Sequence, residues 1–289
     1  MTKKLLILSG KGGTGKTTTA AAMIAFSKAR AFADCDVDAP NLHLVAQAEG
    51  EMEERDYFGS EKARIDPALC DGCGLCAARC RFHALERTET GYQVNEYACE
   101  GCGVCAWVCP KNAAALAPDK AGTLRLFRGD RTFSTAQLRM GRGNSGKLVA
   151  EVKTALQKAA PEAELAVIDG SPGIGCPVIS SVSGVHLALI VAEPSLSGRS
   201  DLERLLQTTA ALRVRTAVCV NKWDVSPLHA EQIEALCRER SIPFLGRIPF
   251  DPQAAQAINQ GRSVAETDCP ARKALYQIYE QVVRLLAAI

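Results

Sequence analysis

The chain has 289 residues, 47% hydrophobic and only 5% aromatic, with 34 Lys and Arg against 32 Asp and Glu for a formal charge of +2. That length holds one large α/β domain with a small insert, or two modest domains. The near-neutral balance gives no argument for nucleic acid or anionic lipid, and no run nears the roughly 18 apolar residues a membrane helix needs. No nucleic-acid partner and no stable membrane insertion are therefore expected.

Lys4 to Leu8 is a short apolar run closed by Ser9 and Gly10, which reads as a strand buried on both faces rather than a signal peptide. The expected location is the cytoplasm. Lys16 to Ala29 is Ala-rich and suits a helix, and Arg30 to Cys35 reads as a second strand. Glu49 to Arg64 is polar and charged and reads as a linker. Thr123 to Leu138 turns at Gly129-Asp130 and reads as a β-hairpin. From Lys147 onward helices alternate with strands at Leu165–Ile168, Leu187–Ala192, Thr216–Val220 and Phe244–Ile248. That rhythm predicts a doubly wound, mostly parallel sheet. The final segment puts Leu275, Ile278, Tyr279, Val282, Leu285, Leu286 and Ile289 on one helical face, expected to dock on the core.

Gly10-Lys11-Gly12-Gly13-Thr14-Gly15-Lys16-Thr17 fits the phosphate-loop pattern G-x-x-x-x-G-K-[ST], followed by Thr18, between a predicted strand and a predicted helix. Glycines let backbone N–H groups converge on phosphate oxygens at a helix N-terminus. Lys16 then reaches the β- and γ-phosphates, and the Thr17 hydroxyl binds Mg²⁺. The early Lys11, in Lys-Gly-Gly, resembles the deviant P-loop of the MinD/ParA/Mrp class, which includes the nitrogenase iron protein. The resemblance implies an ATPase with slow, dimer- or partner-dependent turnover, working as a nucleotide-sandwich dimer with itself or a related ATPase. In that dimer Lys11 serves the phosphates bound by the other subunit.

Three further segments match the class in order. Asp34-Cys35-Asp36-Val37-Asp38 resembles switch I, where Asp36 would position the attacking water with Asp38 as a candidate partner. Val167-Ile168-Asp169-Gly170-Ser171-Pro172-Gly173 resembles Walker B and switch II, implying Asp169 on Mg²⁺ through its water shell and Gly173 as a γ-phosphate sensor. Asn221-Lys222-Trp223-Asp224 reads a purine; it also resembles the guanine-reading N-K-x-D of GTPases. The P-loop class favours ATP, with Asn221 on adenine.

Eight of the 13 cysteines form a repeat: Cys70, Cys73, Cys76 and Cys80 recur 29 positions later (99 − 70) as Cys99, Cys102, Cys105 and Cys109. A single C-x₂-C pair is often a zinc site, but the double run with x₂-x₂-x₃ spacing is the two-cluster ferredoxin signature, and the fourth cysteine of each run ligates the other cluster. One 4Fe–4S cluster is thus assigned to Cys70, Cys73, Cys76 and Cys109, and the other to Cys99, Cys102, Cys105 and Cys80. Arg81 stands where Pro often follows the fourth cysteine. The run resembles bacterial ferredoxins, an α+β insert implying low-potential electron relay. The expected division is 1–60 and 119–289 for the P-loop domain and 61–118 for the insert.

Of the other cysteines, Cys219, Cys237 and Cys35 read as packing, and Cys176 lies where the nitrogenase iron protein has a cluster ligand, with no convincing second ligand for it. Arg125, Arg128, Arg131, Arg139, Arg142 and Lys147 face one acid, Asp130, between 123 and 147. This basic stretch is either a solvated hairpin or a docking surface for an acidic redox partner. The whole points to an ATPase that gates electron transfer through two 4Fe–4S clusters to a redox or metalloprotein partner. The alternatives are an Mrp-type cluster carrier, whose C-terminal C-x-x-C is absent, and a MinD/ParA-type positioning ATPase.

Overall fold

The structure is a computed structural model, and it describes residues 2–289. Its strands are β1 (Lys3–Leu8), β2 (Ala31–Asp34), β3 (Glu51–Phe58), β4 (Lys62–Ile65), β5 (Leu85–Thr88), β6 (Gly91–Val94), β7 (Ala114–Ala117), β8 (Lys120–Arg128), β9 (Thr132–Leu138), β10 (Leu165–Asp169), β11 (Leu187–Ala192), β12 (Arg215–Asn221) and β13 (Phe244–Ile248). Its helices are α1 (Lys16–Ser27), α2 (His43–Ala46), α3 (Leu75–Arg79), α4 (Val104–Val108), α5 (Ser145–Ala159), α6 (Cys176–Val182), α7 (Leu196–Ala211), α8 (Pro227–Glu239), α9 (Pro252–Asn259) and α10 (Pro270–Ala287). The chain divides into two compact units. One comprises the chain up to Glu54, Leu124–Gln137 and Ser145–Ile289; the other comprises Arg55–Thr123 and Leu138–Asn144.

The first unit is built on a nine-stranded sheet in the order β13-β12-β11-β1-β10-β2-β9-β8-β3. From β13 through β9 every neighbouring pair runs parallel. A parallel sheet covered on both faces needs strands without a polar side, and β11 is buried at every residue. In α1, Ala20, Ala21 and Ala22 are fully buried with Met23 and Ile24; small side chains bring that helix close to the sheet. Leu275, Ile278, Val282 and Leu286 of α10 are buried in the same core, with Tyr279 and Leu285 packed against it, so the C-terminal helix docks as its periodicity predicts. Ile289 is half exposed and lies outside that face.

The polar stretch 49–64 is not a plain linker. Residues 51–58 form β3 at one end of the sheet order, exposed except at Tyr57. An edge strand is held by backbone pairing and needs no apolar face, so its sequence carries no period to read, and its charges guard the open edge.

In the second unit β4 pairs antiparallel with β7, and β5 with β6. A small core of Ala63, Ala84 and Cys99 is completed by Cys80, Val94, Ala98, Cys105 and Leu116. The two short helices α3 and α4 each begin one residue before a third cysteine, after Gly74 and Gly103, both at φ +78°.

Candidate functional site

Ligands of open parallel sheets bind beyond the carboxyl ends of the strands. Here the ends of β1, β2, β10 and β12 supply the predicted nucleotide residues, and the end of β13 adds Ile248. A cleft of about 540 Å³ is lined by Lys11, Gly12, Gly13, Gly15, Lys16, Thr17, Thr18, Asp36, Asn41 and Asn221, with Ile248, Pro249, Phe250 and Ala254 on its apolar side. Gly10, Thr14, Asp169 and Gly173 are not among its lining residues. A Cβ at Gly10 would lie 2.2 Å from Cβ of Asp201, so that glycine serves the approach of α7. Gly15 sits at φ +93°, where an added Cβ would meet the Asn221 amide nitrogen at 2.1 Å. Only glycine fits there.

Lys16 is buried and donates to Asp169 Oδ1 at 2.7 Å, with Asp36 Oδ2 3.8 Å away. The Thr17 hydroxyl donates to Asp169 Oδ2 at 2.6 Å. Burial works against the Lys16 ammonium, but the attraction and hydrogen bond of Asp169, followed by Asp36 and Asp34, outweigh it and raise its pKa. Asp34 and Asp169 are register partners on adjacent strands and both are fully buried. Burial first, then repulsion from Asp169, lifts Asp34 to about 7. Burial also raises Asp36, with Lys16 opposing and Asp169 adding to the rise. Two carboxylates, Asp169 and Asp36, therefore face one ammonium, with Asp34 turned onto the loop amides behind them. That surplus of negative charge, with the Thr17 hydroxyl beside a carboxylate oxygen, is the hard-oxygen donor set that Mg²⁺ takes.

Asp34 has a role that sequence reasoning did not assign. Its carboxylate accepts the N–H groups of Asp36 at 3.0 Å, Asn41 at 2.8 Å and Leu42 at 2.9 Å, which folds switch I over the end of β2. Nothing in Asp-x-Asp-x-Asp distinguishes the acid that organises the loop from the one that faces the cleft. Switch I and switch II are stitched together by Cys35 N–H donating to Asp169 O at 2.8 Å and by the Ser171 hydroxyl donating to Cys35 O. The Gly173 N–H donates to Ser9 O at 3.1 Å. Asp38 is exposed.

Asn221 donates to Thr14 O at 2.8 Å and Lys222 Nζ to Gly13 O at 3.1 Å, so both steady the phosphate loop from the end of β12. Asp224 does not line the cleft; its Oδ1 accepts the Phe250 N–H at 2.7 Å. Asp251 does line it, but its carboxylate caps α9 through Gln253 and Ala254 and accepts Ala271 N–H at 3.0 Å. Lys11 is turned toward Glu193, with Nζ 2.5 Å from Oε2.

In the cysteine unit, Cys70, Cys73, Cys76 and Cys109 line one cavity, and Cys80, Cys99, Cys102 and Cys105 line another. These are the two sets assigned from the spacing. Both cavities are small, about 20 Å³ each. Among the described residues no three His, Cys, Asp or Glu side chains converge as ligands of a single ion would. The donor set nonetheless fits a cubane, in which each thiolate holds a different iron, and backbone amides already point at the sulfurs. Ala84 N–H donates to Cys80 Sγ at 3.4 Å and Ala113 N–H to Cys109 Sγ at 3.3 Å. Both amides follow a left-handed residue three places after the fourth cysteine, His83 at φ +49° and Asn112 at φ +51°. The turn is the same whether Arg81 or Pro110 precedes it. Cys99 Sγ accepts from Ala63 and Gly101, each at 3.4 Å. Burial works to raise Cys109, but the amides of Ala114, Lys111 and Ala113 prevail and hold its thiol below the ordinary value. Gly72 and Gly101, at φ +71° and +67°, repeat the left-handed step between the first two cysteines of each run.

Cys35, Cys219 and Cys237 are buried, and burial pushes their thiols up to about 12, 12 and 11. Cys176 is exposed at the start of α6. The basic stretch is not the one-sided patch its sequence suggests. Arg125 pairs with Glu54 at 2.8 Å, Arg128 with Glu53 at 3.4 Å and Arg142 with Asp119 at 2.9 Å. The acids come from β3 and from just before β8, outside the window 123–147, whose one acid is Asp130.

The family model for the CobQ/CobB/MinD/ParA nucleotide-binding domain matches residues 5–264. An uncharacterised protein of Methanocaldococcus jannaschii is 31% identical over 96% of both chains. An iron–sulfur cluster carrier protein of Pyrococcus abyssi is 23% identical, over 98% of this chain and 86% of that one. Among solved structures, the septum site-determining protein MinD of Pyrococcus horikoshii, complexed with Mg-ADP, superposes with a TM-score of 0.61 at 19% identity, over 100% of this chain and 98% of that one. At that identity the likeness is one of fold.

Proposed function

The chain belongs to the CobQ/CobB/MinD/ParA nucleotide-binding family and is a P-loop ATPase of that family, and from that premise we propose that it couples ATP binding and hydrolysis to electron transfer through two 4Fe–4S clusters. The observation that carries the proposal is the sorting of eight cysteines into two cavities of four in the cross-ligating pattern, in a chain that also has the Lys16–Asp169–Thr17 constellation. Clusters held there would supply single-electron transfer.

In the nucleotide cleft, Gly12, Gly13 and Gly15 leave room for phosphates at the start of α1, and Lys16 meets their charge. Thr17 and Asp169 would hold Mg²⁺, which neutralises charge on the phosphates. Asp36, fixed by Asp34 through the switch I backbone, orients the attacking water. The apolar half of the cleft supports adenine over guanine. A guanine reader needs a carboxylate for the ring N–H and amino group, and Asp251 is consumed as a helix cap while Asp224 lies off the lining and holds Phe250.

The test is anaerobic purification followed by iron, sulfide and redox analysis. About eight irons and eight acid-labile sulfides per chain are expected, with midpoint potentials that differ between ADP and a non-hydrolysed ATP analogue. Zinc without sulfide would end the electron-transfer reading. Identical potentials and partner affinity in both nucleotide states would end the coupling. In direct competition ATP should displace GTP. The names of the cluster-carrier relatives favour a second reading, in which the clusters are cargo. Transfer of iron and sulfide to an apo-acceptor, rather than retention through redox cycles, would select it.

A further inference from the structure

Lys11 and Glu193 come from the phosphate loop and from the turn after β11, 182 positions apart (193 − 11), and their charged atoms meet at 2.5 Å. Ser197 Oγ accepts a further bond from Lys11 Nζ at 3.3 Å and touches Ser195 Oγ at 3.2 Å. The backbone on both sides is pinned. The Lys11 carbonyl accepts the Ser9 hydroxyl at 2.9 Å and the Thr14 hydroxyl at 3.4 Å. On the other side Ser195 N–H donates to Glu193 O at 2.9 Å, and Ser195 Oγ caps α7 at Gly198 N–H, 3.0 Å. A Cβ at Gly198 would lie 2.2 Å from Glu193 O, so this turn tolerates no side chain there. The element free to move is the flexible stem of Lys11, whose side chain is 42% exposed against 33% for Glu193.

We propose that Glu193, with Ser197, is a positioning residue that holds Lys11 within its own subunit. On this view the ion pair must open before Lys11 can serve a nucleotide bound by another copy. The inference rests on the trans role that the family resemblance implies for Lys11. Two destinations then compete for one ammonium: a single carboxylate in cis and the more highly charged triphosphate in trans. Because only the closed dimer offers the second, Glu193 biases the chain toward the open state by the strength of one partly exposed ion pair. Discharged ATP leaves Lys11 a place to return to, which favours separation after turnover.

The experiment is sedimentation velocity of the anaerobically purified full chain with a non-hydrolysed ATP analogue. Glu193→Gln removes the charge at nearly constant shape. It should lower the concentration for half-maximal association by about two- to fivefold, the range a partly exposed ion pair provides. Glu193→Asp should restore wild-type behaviour, and in a Lys11→Ala background Glu193→Gln should change nothing, since the pair is already broken. Association that is unchanged or weaker in Glu193→Gln would overturn the proposal. If that variant fails to fold, Ser197→Ala must give a smaller shift in the same direction, and no shift there overturns it too. Lys11→Ala separates the two levels. Unaltered association in Lys11→Ala would remove the trans role of Lys11, whereas weakened association beside an inert Glu193→Gln would remove the latch alone.

Discussion

The nucleotide cleft and the cysteine unit reach their geometry by different routes. Lys16, Asp36, Asp169 and Asn221 stand after or at the ends of four strands, and the sheet order brings them together. The eight cysteines lie within residues 70–109, and two copies of one turn position them. In the first region the sheet does the assembling, and buried charges share a crowded site. In the second, glycines at positive φ and amide-to-sulfur bonds set each loop locally, with little core behind it. Failures should therefore differ. The cleft should lose chemistry when one distant acid goes, and the cysteine unit should lose one half at a time.

The largest effect tests the first half of that contrast. Asp36→Ala should bind MgATP and keep its iron, yet turn over on the order of 10²–10⁴ more slowly, the usual cost of losing a positioned water-activating group. Steady-state turnover with a parallel binding titration checks this. Near-normal turnover would move the role to Asp38 or away from acids altogether. Next, Cys102→Ser should cost about half the iron while ATP binding stays within error, because Cys70, Cys73, Cys76 and Cys109 line a cavity of their own. Loss of all iron would mean that the two halves stand or fall together, and the locality argued here would be wrong.

The same contrast explains what was legible in the sequence. Which four cysteines share each cavity could be read from the sequence, because that geometry is encoded in spacing over forty positions. The phosphate loop was legible for the same reason. Asp34 was not, because nothing in Asp-x-Asp-x-Asp marks the acid that organises the loop; nor were the contacts of Glu193 with Lys11 and of Lys222 with Gly13, which join positions far apart in the chain. The strand β3 was missed because an exposed edge has no apolar period, and with it went the acids that neutralise Arg125 and Arg128. Short α2 and α6 carry too few turns to show periodicity.

A smaller effect is expected at the far end of the loop. The Asn221 amide holds Thr14 O and packs on Gly15, so Asn221→Ala frees one carbonyl and opens space beside the loop. One such hydrogen bond is worth about 0.5–1.5 kcal/mol, so nucleotide affinity should fall about three- to tenfold with turnover at saturation little changed. Isothermal titration with ADP and ATP separates this from a base contact. If Asn221 reads adenine directly, the loss should be much smaller for a nucleotide with a different base than for ATP. A loop-holding role costs all nucleotides alike.

The smallest effect concerns what holds switch II from behind. Lys153 of α5 donates to Ser180 O at 2.7 Å, Ser181 O at 2.8 Å and Ser183 O at 2.5 Å, closing the carboxyl end of α6. Helix ends of that polarity favour a cation. Burial nevertheless lowers its pKa to about 8, with Cys35 opposing and Lys4 adding to the fall. Between about pH 8 and the ordinary lysine value the unfolded chain then binds a proton that the folded chain has released. Where the unfolded state binds more protons, stability rises with pH. Relative to Lys153→Met, which cannot titrate, the native chain should therefore gain stability as pH is raised from 8 toward 10, by a few degrees in Tm. Thermal unfolding of both chains across that window measures the difference directly. A difference that stays flat would mean the ammonium remains charged throughout, held by its three carbonyls. Switch II would then rest on a permanent cation rather than one that burial has brought close to neutrality. A difference that falls with pH would show that the carbonyl bonds outweigh burial, reversing the order of the two causes.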